Sequence, residues 1–250
     1  MGGLPGVELI DSGGNLGYAG AVNIGRVAAR PFSSLLIANP DLWFEPGSIA
    51  RLHEALAGPG VGVTVPTLLD TSGELCLSMR REPSVARAFG DALWGRRLGR
   101  RPAWLAEMVY DADKYTRRQP VDWATGAAQL VSAACDAAVG AWDDRRFFLY
   151  SEETDFARRA RRAGYRIDYV PSARARHRGG GSGASGDLVA LMAVNRVRYY
   201  EKWHRRPASS AFRAAVALHE LLRCSDPAHR RALRHVVRRS SWTALPGSKR

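Results

Sequence analysis

Three short apolar runs punctuate the chain: SLLIA at 34–38, VGVTVP at 61–66 and RIDYV at 166–170. Each stops at a turn signal, respectively Asn39-Pro40-Asp41, Pro66 and Pro171. All three read as strands, and SLLIA, continuously apolar, as the buried kind, which needs helices on both sides of its sheet. Helical segments fall where that requirement puts them. Tyr18 to Ala29, small and apolar, precedes the first run, and Gly47 to Ala57, opened by Pro46, lies between the first and second. With Val7 to Asp11 read as a further strand, the rhythm predicts an α/β domain with a mostly parallel sheet, whose ligands sit at the carboxyl ends of strands. Asn15 to Gly17 and Asn39 to Asp41 both occupy such ends.

The rest of the chain divides more coarsely. Residues 69–119 are read as an irregular insertion of short helices and loops, and regularity returns at VDWATGAAQLV (121–131) and in a helix near Cys135 to Val139. GGGSGASG (179–186) reads as a flexible loop. Beyond it the spacing predicts helices over Leu188 to Trp203, Ser209 to Arg223 and Asp226 to Arg239, the last with Asp226 as N-cap and Pro227 at its first position. The expected division is therefore a catalytic-type domain over 1–187 and a helical extension over 188–250.

Composition narrows the function classes. At 46% hydrophobic residues in 250, the chain can bury a sizeable core, which excludes disorder throughout. Cys76, Cys135 and Cys224 are odd in number and stand in no metal spacing, so a reducing cytoplasm is the expected setting. No apolar run reaches the roughly 18 residues of a membrane span, and the first residues lack a signal-peptide pattern. From Arg196 to Arg250 there are 14 Lys and Arg against Glu201, Glu220 and Asp226, so this segment holds +11 of the chain's +13. Such an arm either meets an anionic surface, with phospholipid expected ahead of nucleic acid because no nucleic-acid motif accompanies the charge, or is a solvated basic face.

Three motifs carry chemistry. Asp41, behind a turn stiffened by Pro40, either caps that turn or binds a hard divalent cation or a diphosphate through it. NLGYAGAVN (15–23) sets glycines ahead of a helix start, where free backbone amides suit a phosphate, although it matches neither the dinucleotide fingerprint nor a Walker loop. FFLYSEETDFARRARRAG (147–164) places Glu152, Glu153 and Asp155 in the first turn of a helix, with Ser151 as its expected N-cap, Gly164 as its stop and Phe156, Ala160 and Ala163 as its apolar face. Helix-end electrostatics explain the charge order. They do not explain an acidic pair directly behind aromatic residues, where partial desolvation raises a carboxyl pKa as suits a general base. His177, ahead of the glycine loop, is either structural or a ligand. No arrangement for acyl transfer is present.

The order of these motifs resembles the family 2 glycosyltransferases of the GT-A fold, especially the bacterial rhamnosyltransferase-like branch that builds cell-wall and surface polysaccharides. The matching stretches are NLGYAGAVNIG (15–25), LLIANPDLWFEPGSI (35–49), VDWATGAAQLV (121–131), residues 140–182 and NRVRYYEKWH (195–204). The resemblance implies an enzyme moving a hexose, rhamnose foremost, from a nucleotide-sugar to a lipid-linked or polysaccharide acceptor at the inner face of the plasma membrane. It implies Mg²⁺ or Mn²⁺ at Asp41 and His177, and Glu153 as the base, with Glu152 and Asp155 orienting acceptor or helix. Asn15, Gly17, Asn23, Asn39, Trp123, Thr125, Gly126 and Arg159 fall at substrate-binding positions. Two departures accompany it. The second acid of the pair is Glu153 where the family more often has Asp. Members also begin with two further strands before the one that Val7 to Asp11 resembles, so a shortened, non-catalytic partner protein is the alternative expectation.

Overall fold

The computed structural model describes residues 6–95, 102–178 and 185–247. Helix α1 (Gly17–Ala28) leads into β1 (Ser34–Ala38), β2 (Leu42–Phe44), α2 (Ser48–Leu56) and β3 (Val61–Leu69). Short β4 (Leu75–Cys76) and β5 (Met79–Arg80) precede α3 (Val85–Trp94). Then come β6 (Gln119–Val121), β7 (Trp123–Ala124), β8 (Ala128–Ser132) and α4 (Ala133–Val139). The last third holds α5 (Glu152–Arg162), β9 (Arg166–His177), α6 (Gly186–Trp203), α7 (Arg206–Leu221) and α8 (Pro227–Val237).

The main sheet has the order β1-β8-β3-β9-β2, with β4 added to β3 and β6 to β9. Its three long apolar strands, β1, β3 and β9, run in one direction, as an α/β domain requires. The sheet is nevertheless mixed. Strand β8 lies reversed between β1 and β3, and β3–β9 is the one parallel ladder among the described residues. A buried apolar run fixes that both faces are covered and leaves strand direction open, so AQLVS in β8 carries no local mark of its reversal. Val63, Val65, Val131, Ile167 and Tyr169 face one core with Trp142 and Phe156, whose rings stack at 4.8 Å.

Several expectations are corrected. Val7 to Asp11 forms no strand, and Val7, Leu9 and Ile10 are exposed. VDWATGAAQLV is divided by the turn at Thr125–Ala127 into β7 and β8. Strand β9 does not end at Pro171 but runs on to His177. Proline offers no N–H to a ladder, and the β3–β9 pairing shifts register between Pro66 and Thr67, leaving Pro171 outside the paired positions. The predicted insertion contains a well-formed helix, α3, whose N-cap Ser84 accepts from the Arg87 N–H. Residues 96–101 of that insertion, and 179–184 of the glycine loop, lie outside the described residues.

The C-terminal helices are not a loose arm. Leu191, Val194 and Val197 of α6, Phe212 and Val216 of α7, and Val236 of α8 share one core with Ala88 of α3, and Phe148 to Tyr150 pack against it. The Asp226 cap of α8 is as expected, its side chain accepting from the Ala228 N–H.

Candidate active site

Gly17 opens α1 at φ +72°, and a Cβ there would stand 2.0 Å from the Phe148 carbonyl oxygen. Only glycine permits that approach, which brings the Tyr18 N–H to donate to the same carbonyl at 2.8 Å. The Tyr18 hydroxyl in turn donates to the Gly126 carbonyl. One residue thus ties the start of α1 to both the FFLY segment and the turn before β8. Asn15 accepts from the Gly17 N–H, which shapes this start. Asn23 exchanges two hydrogen bonds with the backbone of Trp142, at 2.9 and 2.8 Å, and does not line the cavity described below.

The acids enter through an unusual turn. Tyr150 and Ser151 have φ of 71° and 72°, two consecutive non-glycine residues in the left-handed region. Such conformations are sparsely populated and persist only where the surroundings hold them. Here Asn195 of α6 donates to the carbonyls of Leu149 (2.8 Å) and Tyr150 (3.3 Å). Ser151 therefore does not cap α5 through its side chain, contrary to expectation. Its backbone instead turns Glu152 and Glu153 inward. The apolar face also differs, with Ala157 buried beside Phe156 and Ala160, and Ala163 exposed.

Burial and the neighbouring charge of Glu153 hold the Glu152 carboxyl well above the ordinary carboxylate range. Burial pushes Glu153 up to about 6, opposed by backbone N–H groups and by the Arg80 guanidinium. The two carboxyls titrate as a pair, and burial together with their mutual repulsion disfavours ionising both at once. The Oε2 atom of each is buried and finds no hydrogen-bond partner among the described residues. Buried carboxyl oxygens without partners are rare, and both residues line a cavity. Burial, then the charges of Glu153 and Glu152, raise the Tyr18 phenol far above its usual value, so it remains a neutral donor.

Asp155 has a different setting. Wholly buried, it accepts from Arg159 Nε (2.9 Å), Trp203 Nε1 (3.0 Å) and Lys202 Nζ (2.7 Å). Arg159 also donates to the Val139 carbonyl. Neither lines the cavity, so both predicted site residues serve the helix and its packing.

At the other side, the end of β1 and the β2–β9 ladder bring Asn39, Asp41 and His177 together. Leu42 pairs with His177, the Asp41 carbonyl accepts from the Arg178 N–H, and the Asn39 N–H donates to the Ala127 carbonyl. His177 Nε2 stands 3.2 Å from Asp41 Oδ1 and 3.4 Å from Asn39 Nδ2. No group of three His, Cys, Asp or Glu that could hold a metal ion occurs among the described residues. The Asp41 carboxylate is the donor type that would suit Mg²⁺ or Mn²⁺, which commonly take one or two protein carboxylates together with substrate phosphates, and the imidazole beside it is the less usual ligand for these ions.

A continuous cavity of about 1240 Å³ has Asn39, His177, Trp123, Thr125, Glu152 and Glu153 on its wall, while Asp41 does not line it and lies behind His177, 3.2 Å from its Nε2. Gly126 also lines it, and a Cβ added there would come 3.5 Å from Glu153 Cβ and 3.6 Å from the Tyr18 hydroxyl. Two lining residues escape sequence reasoning. Tyr18 lies inside NLGYAG, read there for its glycines. Arg80, in the SMRR run of the irregular segment, stands over the Trp123 ring at 5.9 Å, and only its β5–β7 pairing places it.

No family model matches the chain. It is 32% identical over 240 residues to the N-acetylglucosaminyl-diphospho-decaprenol L-rhamnosyltransferase of Mycobacterium tuberculosis, with 88% of this chain and 77% of the relative covered. It is 29% identical over 164 residues to the low-salt glycan biosynthesis hexosyltransferase Agl10 of Haloferax volcanii, covering 64% of this chain and 48% of that one. In three dimensions it is similar to the crystal structure of GalNAc-T7 with UDP, GalNAc and Mn²⁺, at a TM-score of 0.54 and 14% identity. That likeness covers 91% of this chain and 44% of the other, and speaks to the fold alone.

Proposed function

The chain belongs to the family 2 glycosyltransferases of the GT-A fold, and from that membership we propose that it transfers a hexose, rhamnose foremost, from a nucleotide-sugar to a lipid-linked acceptor with inversion at the anomeric carbon. The observation that carries the reading is the acidic pair, with two buried oxygens left free at a cavity of substrate size. Ionised Glu153 accepts the proton of the acceptor hydroxyl as that oxygen bonds to the anomeric carbon. The bond from that carbon to the nucleoside diphosphate breaks on the opposite face, so a single displacement inverts the centre. Protonated Glu152 donates a hydrogen bond to a sugar oxygen, and Trp123 and Thr125 form a wall against the donor sugar. Asp41 and His177 would hold a Mg²⁺ or Mn²⁺, which when bound supplies charge neutralisation for the leaving diphosphate.

The preferred donor is a dTDP-sugar, and the acceptor end is a polyprenyl-diphospho-sugar of the kind named for the mycobacterial relative. No helix among the described residues is long and apolar enough to cross a membrane. Exposed Arg205, Arg206, Arg230, Arg234 and Arg238 on the C-terminal helices support a peripheral place at an anionic, cytoplasmic membrane face.

The test is transfer from dTDP-rhamnose to a polyprenyl-diphospho-GlcNAc acceptor, with and without Mn²⁺. Glu153→Gln is expected to lower kcat by roughly 10²- to 10⁴-fold, the usual contribution of a general base. Chelation or Asp41→Ala should weaken turnover strongly. Turnover indifferent to Glu153→Gln would remove the proposed mechanism, and a chain that turns over no donor favours a non-catalytic partner role.

A further inference from the structure

The cavity does not end at the acids. It continues between α3, α6 and α7, where its wall changes from polar to ionic and then to apolar. Next to the site stands Arg196, held by Glu107 at 3.1 Å and Asp91 at 3.8 Å. Beyond it lie Arg223 and His219. The Arg223 guanidinium donates only to backbone carbonyls, those of Ala92 (3.2 Å), His219 (2.9 Å) and Asp91 (3.4 Å), and Glu220, which His229 already bonds, acts on it only from beyond ion-pair distance. His219 Nδ1 is buried with no hydrogen-bond partner among the described residues. Burial, then the charges of Arg196 and Arg223, push His219 down to about 3, so the ring is neutral and adds no charge, and its hydrogen bond to the Asp91 backbone takes its one N–H. At the outer lip, Leu93, Trp94, Met192 and Leu222 line the same cavity while remaining between 39% and 56% exposed. Four large apolar side chains gathered at the mouth of a cavity mark a ligand or partner surface, whereas isolated ones do not.

From the inside outward the order is a sugar-sized polar site, a cation bonded only to backbone carbonyls, and an apolar lip. A polyprenyl-diphospho-sugar has the same order of parts. We propose that this arm of the cavity seats the lipid end of the acceptor, with Arg223 taking its diphosphate and Leu93, Trp94, Met192 and Leu222 its first isoprene units. The proposal rests on the lipid-linked acceptor argued above and adds where the lipid lies. It also assigns a use to helices that the basic composition marks only as a charged arm.

Direct binding tests it without any sugar transfer. Titrate the full chain calorimetrically with farnesyl diphosphate and, separately, with inorganic diphosphate. Met192→Ser with Leu222→Ser, which add no charge beside Arg223, should weaken farnesyl diphosphate at least 10-fold and leave inorganic diphosphate within about 2-fold, because burial of an isoprene unit is worth far more than that factor. Arg223→Gln should weaken farnesyl diphosphate by at least 5-fold. Both apolar positions are exposed, and Leu222→Ser alone, with circular dichroism as the folding control, gives the same order at about 3-fold.

Equal loss for both ligands, no loss for either, or no farnesyl diphosphate binding by the unaltered chain overturns the proposal. So does a concentration-dependent dimer that the same substitutions dissolve, since a second copy would then own the lip. A chain that binds farnesyl diphosphate through the lip but transfers no sugar keeps the seat and loses the proposed reaction. Transfer that Glu153→Gln abolishes, with binding blind to the lip, does the reverse.

Discussion

Glu153 can accept a proton only if it is ionised, and Arg80 is a positive charge that favours that form. Its Nη1 donates to the carbonyls of Leu77 (2.7 Å) and Met79 (3.1 Å), which fixes the guanidinium without neutralising it. Burial raises Glu153 to about 6, and Arg80 is among the groups that lower it. A base that must be ionised gives a rate that falls as pH drops through its pKa, so kcat/KM should decline below about pH 6. Removing a positive charge disfavours the carboxylate, so Arg80→Gln should move that acidic limb to higher pH and lower activity more at pH 6 than at pH 8. A pH–rate profile of the two proteins measures it. A limb that stays in place, with activity lowered equally at both pH values, would leave Arg80 a packing residue. Neither Arg80 nor Tyr18 is legible in the sequence as a site residue, because each depends on a partner more than 40 residues away. The acidic pair is legible because its oddity is local, carboxylates directly behind aromatics.

At the scale of elements, the approach of α1 to the FFLY segment depends on one glycine. Gly17→Ala would place a Cβ 2.0 Å from the Phe148 oxygen at a left-handed φ, adding steric overlap to backbone strain. Together these should destabilise the fold by roughly 2–5 kcal/mol. For a chain of this size each kcal/mol lowers Tm by about 2–4 °C. Gly25→Ala, in the same helix with nothing within 4 Å of the added methyl, should be neutral or stabilising by up to about 1 kcal/mol. Thermal unfolding of both variants separates close approach from general glycine flexibility, and similar melting shifts would sink the argument. Elements of this kind are read well where the signal is local. SLLIA, VGVTVP, the Gly164 stop and the Asp226 cap all sit where their residues predict. Pairing is read poorly, since the direction of β8 and the passage of β9 beyond Pro171 are decided by neighbours distant in sequence. The left-handed pair Tyr150–Ser151 defeats a local reading altogether, because Ser-x-x-Thr in a helix start looks like an ordinary cap.

Over the whole molecule, the expected boundary near residue 187 divides the sequence but not the contacts that hold the site. Helix α6 crosses behind the acids, where Asn195 holds the left-handed turn and Tyr199 bonds to Glu82 at 2.5 Å. Lys202 is the strongest link, reaching Asp143 and Asp155 at 2.7 Å each. Asp155 is wholly buried at the base of α5, and a buried carboxylate that loses a partner is left undercompensated. Arg159 and Trp203 would still reach it, so Lys202→Met should cost about 2 kcal/mol rather than the full penalty of an orphaned charge. If the pair joins α6 to the catalytic helix as one body, Lys202→Met and Asp155→Asn cannot be independent. Once either group is gone the other keeps its remaining partners, Arg159 and Trp203 for Asp155 and Asp143 for Lys202, but the ion pair between the two helices is lost. A double-mutant cycle on unfolding free energy should therefore show a coupling of about 1–3 kcal/mol, against a few tenths for unrelated sites. Coupling within that smaller range would mean that the C-terminal helices merely lean on the catalytic layer. A large coupling accompanied by a fall in kcat for Lys202→Met, which touches neither the cavity nor the acids' free oxygens, would show that the basic helices set the angle at which Glu153 meets the acceptor.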